Sequence, residues 1–381
     1  MNIDTGQIIK AQRASRHGPM VQALGKAAAR HWGAIVQVLR VGLRFAQVLP
    51  APVLPAVTRL GRRFMPTDWL PQVGSDLPGP GPARPKRAAG GDCRKRQPGS
   101  IVDPATDAQG DTELAQDEPA ADPANEVVYF ATCINSLFGP AEPNAAGVGQ
   151  AVQRLAQLTG TRLTLPPHLS ALCCGTVWHS KGLTGGSRLM AQRVFGVLWQ
   201  ATDRGRLPVM ADAASCSHSL DQLAQYLPPE QAAMAEKLQV MDSVSYVARH
   251  LIGRLEVPHP LESVAVHPNC SAVHLGAVDD LVAVAELLAQ TVYVPKAWGC
   301  CGFAGDRGML HPELTASATQ PEANELAAAE SARAKAGAAS DGQFSAYVSA
   351  NRTCELGLSR ATGRPYRHVL EVLAEVAQPL G

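Results

Sequence analysis

The sequence predicts an α/β fold: two pseudo-repeated βαβ-type halves with cysteines at strand C-terminal ends, preceded by a helical amino-terminal segment and a disordered linker. Three observations carry this expectation. From Glu126 onward, short β-branched runs alternate with Ala/Leu-rich stretches of helical length. Eight of the nine cysteines recur in one order, Cys…Cys-Cys-Gly…Cys, once in each half. Composition changes abruptly between Pro66 and Asn125, where prolines and glycines dominate. The expected division is a helical segment over 1–65, a linker over 66–125, and two repeats over 126–258 and 259–381.

In chain order, Gln7–Ala29 and Trp32–Gln47 place apolar residues at three-to-four spacing, as helices do. Between Met1 and Arg63 ten Lys/Arg residues stand against one acid, Asp4, which gives the stretch a charge of +9. Such a face is either solvated and packed on a partner domain or adherent to an anionic membrane surface. Residues 35–57 are more hydrophobic, but Arg40 and Arg44 interrupt them and three prolines crowd the end, which argues against a membrane span. The first 20 residues lack the apolar core of a secretory signal. The expected location is therefore cytoplasmic, with peripheral attachment to the inner face of the membrane left open. A net charge of +1 and 5% aromatic residues give no case for nucleic acid.

The linker opens with a basic knot around Arg84 and Lys86 and turns acidic from Asp103; it has too little apolar surface to offset its ordering entropy. Cys93 within it reads as an incidental exposed thiol. Beyond it, strands are expected at Val127–Ala131, Arg162–Leu165, Pro208–Asp212, Leu238–Asp242, Ser263–His267, Thr291–Pro295 and Phe344–Ser349. Helices are expected at Gly147–Leu158, Ser187–Arg204, Val244–Arg254, Ala277–Ala289, Glu322–Lys335 and Tyr366–Val376.

On this map Cys133 follows the first strand, Cys173-Cys174-Gly175 the second and Cys216 the third. Cys270, Cys300-Cys301-Gly302 and Cys354 repeat the order in the second half. Ligands of open α/β sheets gather outside the carboxyl ends of the strands, so distant cysteines can converge there. The vicinal pair needs a sharp turn, and the glycine after it accepts positive φ. Nearby helix N-termini stabilise thiolates. Four thiolates per half suit an iron–sulfur cluster or zinc; the absence of Cys-x-x-Cys knuckles argues against an ordinary zinc site. The metal-ligating candidates are Cys133, Cys173, Cys174, Cys216, Cys270, Cys300, Cys301 and Cys354. His267, His274 and His218 are secondary candidates, and His179 lies five residues after Cys174. The loop Gly302–Gly308 either binds an anion or simply turns the chain. No Walker-type loop or Gly-x-Gly-x-x-Gly in a strand–helix context is visible, and no catalytic residue is identified.

These residues resemble the cysteine-rich "CCG" domain, found in tandem in the iron–sulfur subunit of glycolate oxidase and in the cysteine-rich subunit of heterodisulfide reductase. The wording is most similar to the carboxyl-terminal third of FAD-linked iron–sulfur D-lactate dehydrogenases. It lies in His267-Pro268-Asn269-Cys270, in Trp298-Gly299-Cys300-Cys301-Gly302-Phe303-Ala304-Gly305-Asp306-Arg307-Gly308 and in Ser349-Ala350-Asn351-Arg352-Thr353-Cys354. Asn2-Ile3-Asp4-Thr5-Gly6 resembles the segment just after the ferredoxin-like domain of those enzymes, so 1–65 reads as the tail of such a domain. The resemblance implies an electron-transfer module with an iron–sulfur cluster of the 4Fe-4S type and FAD only on a missing domain or partner. The implied partners are a flavoprotein dehydrogenase, a ferredoxin-type cluster domain and a quinone or cytochrome acceptor. It also implies a split subunit or truncated piece lacking its own flavin domain. Neither half has the terminal Cys-x-x-Cys of heterodisulfide reductase, since Cys216 and Cys354 are followed by Ser217-His218-Ser219 and Glu355-Leu356-Gly357. Two other readings stay open: a non-catalytic docking subunit, and a thiol–disulfide module acting at the vicinal pairs.

Overall fold

A computed structural model describes residues 12–50, 52–64, 70–74, 77–85, 125–142, 145–338 and 340–381. The amino-terminal helices are Pro19–Arg30, Trp32–Val48 and Val53–Gly61. The expected helix Gln7–Ala29 breaks at His17–Gly18, before Pro19, because proline takes a first helical position readily and an interior one badly. Val53–Gly61 forms despite its prolines, since Pro52 precedes the helix and Pro55 lies in its first turn.

The repeat is visible in topology. β1 (Glu126–Phe130), β2 (Arg162–Thr164), β3 (Val209–Ala211) and β4 (Val240–Asp242) form a parallel sheet of order β2-β1-β3-β4. β5 (Leu255–Glu256) follows. β6 (Leu261–Val266), β7 (Ala289–Tyr293), β8 (Ala346–Ser349) and β9 (Tyr366–His368) repeat the order as β7-β6-β8-β9, again all parallel. β10 (Gln378–Pro379) pairs antiparallel with β5, so the equivalent tails of the two halves meet. Helices cover both faces of each sheet, which is why Val127–Phe130 and Val264–Val266 run apolar without alternation and are fully buried.

The last helix of each half packs on the other half. Val369–Val376 lies on Val148–Leu158, and the helical stretch Ser243–Leu251, widening to a π-helical turn at Val247–Leu251, lies on Val278–Leu288. One apolar core therefore runs through both halves, from Val127 and Leu155 to Leu281 and Leu373. A smaller core around Phe303, Leu326, Tyr347 and Tyr366 fills the far side of the second sheet.

The seven expected strands form, each within two residues of its expected ends. Three short ones were not expected. β9 was expected as the first turn of a helix over Tyr366–Val376; the helix begins at Val369, after His368 takes extended backbone and its ring accepts the Leu370 amide. The helix expected from Glu322 begins ten residues earlier at Pro312 and carries Pro321 inside. The linker is narrower than expected. Residues 70–74 and 77–85 lie on the folded body, held by Gln72 N–H to Met309 O at 2.7 Å and Gly139 N–H to Gly79 O at 2.8 Å. Prolines there restrict the unfolded chain, which lowers the entropy lost on ordering. Residues 86–124, with Cys93, lie outside the described residues.

Candidate functional site

Both cysteine sets form where strands end and helices begin. In the first half Cys133 opens the helix Cys133–Leu137, three residues past β1, and Cys216 is the third residue of Ala214–Asp221, just after β3. Cys173 and Cys174 end the turn after β2, and Gly175 at φ 102° leads into the helix Thr176–Ser180. In the second half Cys270 opens Cys270–His274, Cys354 is the third residue of Arg352–Thr362, and Gly302 at φ 68° follows the vicinal pair. A Cβ at either glycine would sit in strained backbone, so both turns ask for glycine.

The first set is sealed: Cys133, Cys173, Cys174 and Cys216 are all buried. The Cys133 and Cys173 sulfurs are 3.9 Å apart, and Cys174 Sγ is 3.2 Å from Thr176 Oγ1. Hydrogen bonds from Cys173 and then Cys216 hold the Cys174 thiol well below its ordinary value. Cys173 is pushed well up first by its bond with Cys133 and then by that with Cys174, and Cys216 by its bond with Cys174, with burial adding to both. Cys133 is lowered by its bond with Cys173, helped by the Arg84 charge. Within this set ionisation is thus easiest at Cys174 and Cys133.

The second set is half open: Cys301 and Cys354 are buried, Cys270 and Cys300 exposed. The Cys301 and Cys354 sulfurs approach to 3.0 Å, and Asn351 Nδ2 donates to Cys354 at 3.5 Å. Cys300 falls to about 6, mainly through its bond with Cys270, then the Gly302 amide and the charge of His267. Cys270 and Cys354 are pushed up in return, each mainly by its bond with a neighbouring thiol, Cys300 and Cys301 respectively. Among the described residues, no three His, Cys, Asp or Glu side chains are arranged to hold a single metal ion. Four thiols of one chemical kind, with at least one in each set made easier to ionise, fit a soft centre larger than one ion.

The histidines divide. His267 is fully buried, with Nδ1 2.8 Å from Glu322 Oε2, and its charge reaches Cys300. His218 and His274 stack on each other across the two halves, ring centres 5.0 Å apart. His179 meets Tyr226 edge-on. In the loop Gly302–Gly308 Phe303 is buried, and Asp306 pairs at 2.6 Å with Lys181 of the first half rather than with its neighbour Arg307.

Several buried groups had no signal in the sequence. Asp212 Oδ2 accepts from Tyr129 Oη at 2.6 Å and Oδ1 from Thr132 N–H at 2.8 Å, beside Cys133; burial raises its carboxyl. It stood inside an expected strand and read as backbone. Glu322, Arg352, Glu355, His368 and Glu371 are likewise buried.

The chain matches the cysteine-rich CCG domain twice, over residues 127–221 and 264–359. It is also similar to the glycolate oxidase iron-sulfur subunit of Escherichia coli (strain K12), 25% identical over 354 residues that cover 90% of this chain and 72% of that protein. Each matched stretch contains all four cysteines of its half. With two copies of one sheet order and one cysteine arrangement, the chain belongs to the cysteine-rich CCG domain family.

Proposed function

We propose that this chain is the iron–sulfur electron-transfer module of a 2-hydroxy-acid dehydrogenase, acting on D-lactate or glycolate. One observation carries the reading: eight thiols converge as two equivalent sets of four at the strand ends of a duplicated fold. Similarity to the glycolate oxidase iron-sulfur subunit supports it. In this reading Cys133, Cys173, Cys174 and Cys216 hold one centre and Cys270, Cys300, Cys301 and Cys354 another, of the 4Fe-4S type. When bound, such a centre accepts and releases single electrons. The chain's own contribution is to keep thiolates available and dry in the first set and to open the second set to exchange. Cys270 is the main neighbour that eases ionisation of Cys300, with the Gly302 amide and the Glu322-braced His267 contributing less. The residue ranges 126–258 and 259–381 are the two units of this design.

The electron source is a flavoprotein partner and the acceptor a quinone or a cytochrome. The test is anaerobic purification with iron and acid-labile sulfide counted beside visible and electron-paramagnetic-resonance spectra. Thiolate-ligated iron and a loss of iron on Cys301→Ala are expected. A colourless chain containing no iron after anaerobic reconstitution overturns the reading.

Peripheral attachment to the inner face of a membrane belongs to the same proposal. No helix among the described residues is long and apolar enough to cross a membrane. The helix Trp32–Val48 instead exposes Val38, Leu39, Val41, Phe45 and Val48, while residues 12–64 carry nine Lys/Arg and no acid. An apolar face ringed by cations suits an anionic bilayer surface. Phe45→Asp should lower co-sedimentation with phosphatidylglycerol vesicles; equal retention of both proteins would remove this part. A second reading, thiol–disulfide exchange, is favoured by the 3.0 Å approach of Cys301 and Cys354. Mass shifts on alkylation before and after reduction separate it from the first.

A further inference from the structure

Behind the cysteine-bearing helices lies a cavity of about 340 Å³ that no part of the electron-transfer reading uses. Its walls come from both halves: Thr132, Asn135 and Ser136 around Cys133, and Arg352 and Glu355 on either side of Cys354. Four of its side chains carry buried polar atoms without a hydrogen-bond partner among the described residues, Arg84 Nε and Nη2, Arg352 Nε, Glu355 Oε1 and His368 Nε2, and a fifth, Glu371 Oε2, has only Arg367 Nε at 3.9 Å. Four of these residues are at least nine-tenths buried, so each orphaned atom carries a desolvation cost that a bound ligand would remove.

The donors can be counted. His368 Nδ1 accepts the Leu370 amide at 3.2 Å, so a neutral ring keeps its proton on Nε2 and offers a donor. Burial holds that ring neutral, with its pKa lowered to about 3. Arg84 and Arg352 add guanidinium donors. Glu371, lifted by burial to about 7, is a carboxyl that gives up a proton near neutrality. A ligand for this site brings acceptor oxygens and can take protons.

The cavity also has a continuation. A second one, of about 440 Å³, shares Pro140 and Arg352 with it and is walled by Leu77, Pro80, Leu356 and Pro365. It reaches Gln47, between the exposed Phe45 and Val48 of the helix Trp32–Val48. The two cavities thus adjoin at Pro140 and Arg352, and the outer one, walled also by Ser359 and Arg360, lies beside the exposed apolar residues of that helix.

We propose that these paired cavities bind a lipid-soluble quinone, its carbonyl ring against His368, Arg352 and Glu371 and its tail leaving past Leu356 and Gln47. The proposal rests on the electron-transfer reading and names its acceptor and where it sits. The conversion balances as 2-hydroxy acid plus quinone giving 2-oxo acid plus quinol. Two electrons and two protons leave the acid's carbinol, and both pairs end on the quinone's carbonyl oxygens.

The test is titration of the full chain in detergent with decylubiquinone by calorimetry, with decylbenzene as the tail-only control. Saturable binding of one quinone per chain is expected, with at least tenfold weaker binding of the control. Gly149→Leu, which fills the inner chamber from its wall at a position where a Cβ meets only Tyr129 Oη at 3.5 Å, should weaken the quinone at least tenfold. An azidoquinone photolabel gives a second readout independent of that variant's folding, and label is expected in peptides spanning 131–153 or 352–371. Absence of saturable binding, control binding as tight as the quinone, or label elsewhere overturns the proposal. Iron counted in the same sample keeps the two ideas apart. Iron without quinone binding removes this site alone, and quinone binding by a chain that cannot take up iron removes the electron-transfer reading alone.

Discussion

At the scale of single residues, the thiols differ because their neighbours do. Cys300 is exposed and holds its pKa near 6 through Cys270, whereas Cys354 is buried and pushed up. In the reduced, metal-free chain, iodoacetamide at pH 7 should therefore modify Cys300 first. Cys270→Ala should slow that reaction, because the thiol that donates to the Cys300 thiolate is gone. Peptide mass spectrometry after short exposure reads the order, and first modification of a cysteine in the sealed set would contradict it. All eight of these cysteines and the glycine after each vicinal pair were legible in the sequence, because Cys-Cys-Gly repeated in register admits few bland explanations. The buried carboxylates were not. Glu322 and Glu371 sit on helices whose sequence cannot reveal that the polar face turns inward, since what they meet, His267 and the Val148 amide, is distant along the chain.

At the scale of elements, the helix Trp32–Val48 buries Trp32, Val36 and one charged residue while leaving much of its other apolar surface exposed. Its arginine Arg40 is buried, donating to Ser136 O and Gly81 O at 3.1 Å each, while valines and phenylalanine face outward. Arg40→Met keeps the stem and leaves two buried carbonyls without partners. It should destabilise the chain by about 1–3 kcal/mol in denaturant titrations, and an unchanged midpoint would mean water replaces the guanidinium. Strands were legible from their β-branched runs. The early start of the helix Pro312–Lys335 was not, because Pro321 reads as a stop although the helix continues through it.

At the scale of the whole molecule, the two halves exchange their last helices and pair their last strands. That exchange was invisible in sequence, where β5 and β10 are two residues each and the helices look like any others. A chain cut after Pro258 leaves the Val278–Leu288 partner of Ser243–Leu251 behind. Fragments 1–258 and 259–381 should each be poorly folded alone by circular dichroism and recover signal when coexpressed; a cooperative melt by either fragment alone would contradict this. The interior also sets a pH trend. Burial raises Asp242 to about 7 and Glu371 to about 7, so the folded chain holds protons that the unfolded chain has released above about pH 4.5. Their stabilisation is full below the unfolded values and is lost as pH rises through 7. His368, lowered to about 3, acts oppositely, favouring the folded state as pH rises from 3 to 6.5. Between pH 4.5 and 6.5 these carboxyls, with Glu355 raised by burial to about 8, outnumber that one imidazole, so the thermal midpoint should fall across the interval and Asp242→Asn should flatten the fall.

The difference in exposure between the two thiol sets has a consequence for how the protein is made. The four buried thiols of the first set are harder for inorganic ions to reach once the chain has closed than Cys270 and Cys300, which remain exposed. If both sets are loaded in the cell, the first is filled during folding and the second can be filled, or repaired after damage, at any later time. Reconstitution of the folded chain should then restore only about half the iron obtained when the same chain is unfolded and refolded with iron and sulfide present. The inner set would be permanent equipment, and the outer one a replaceable part.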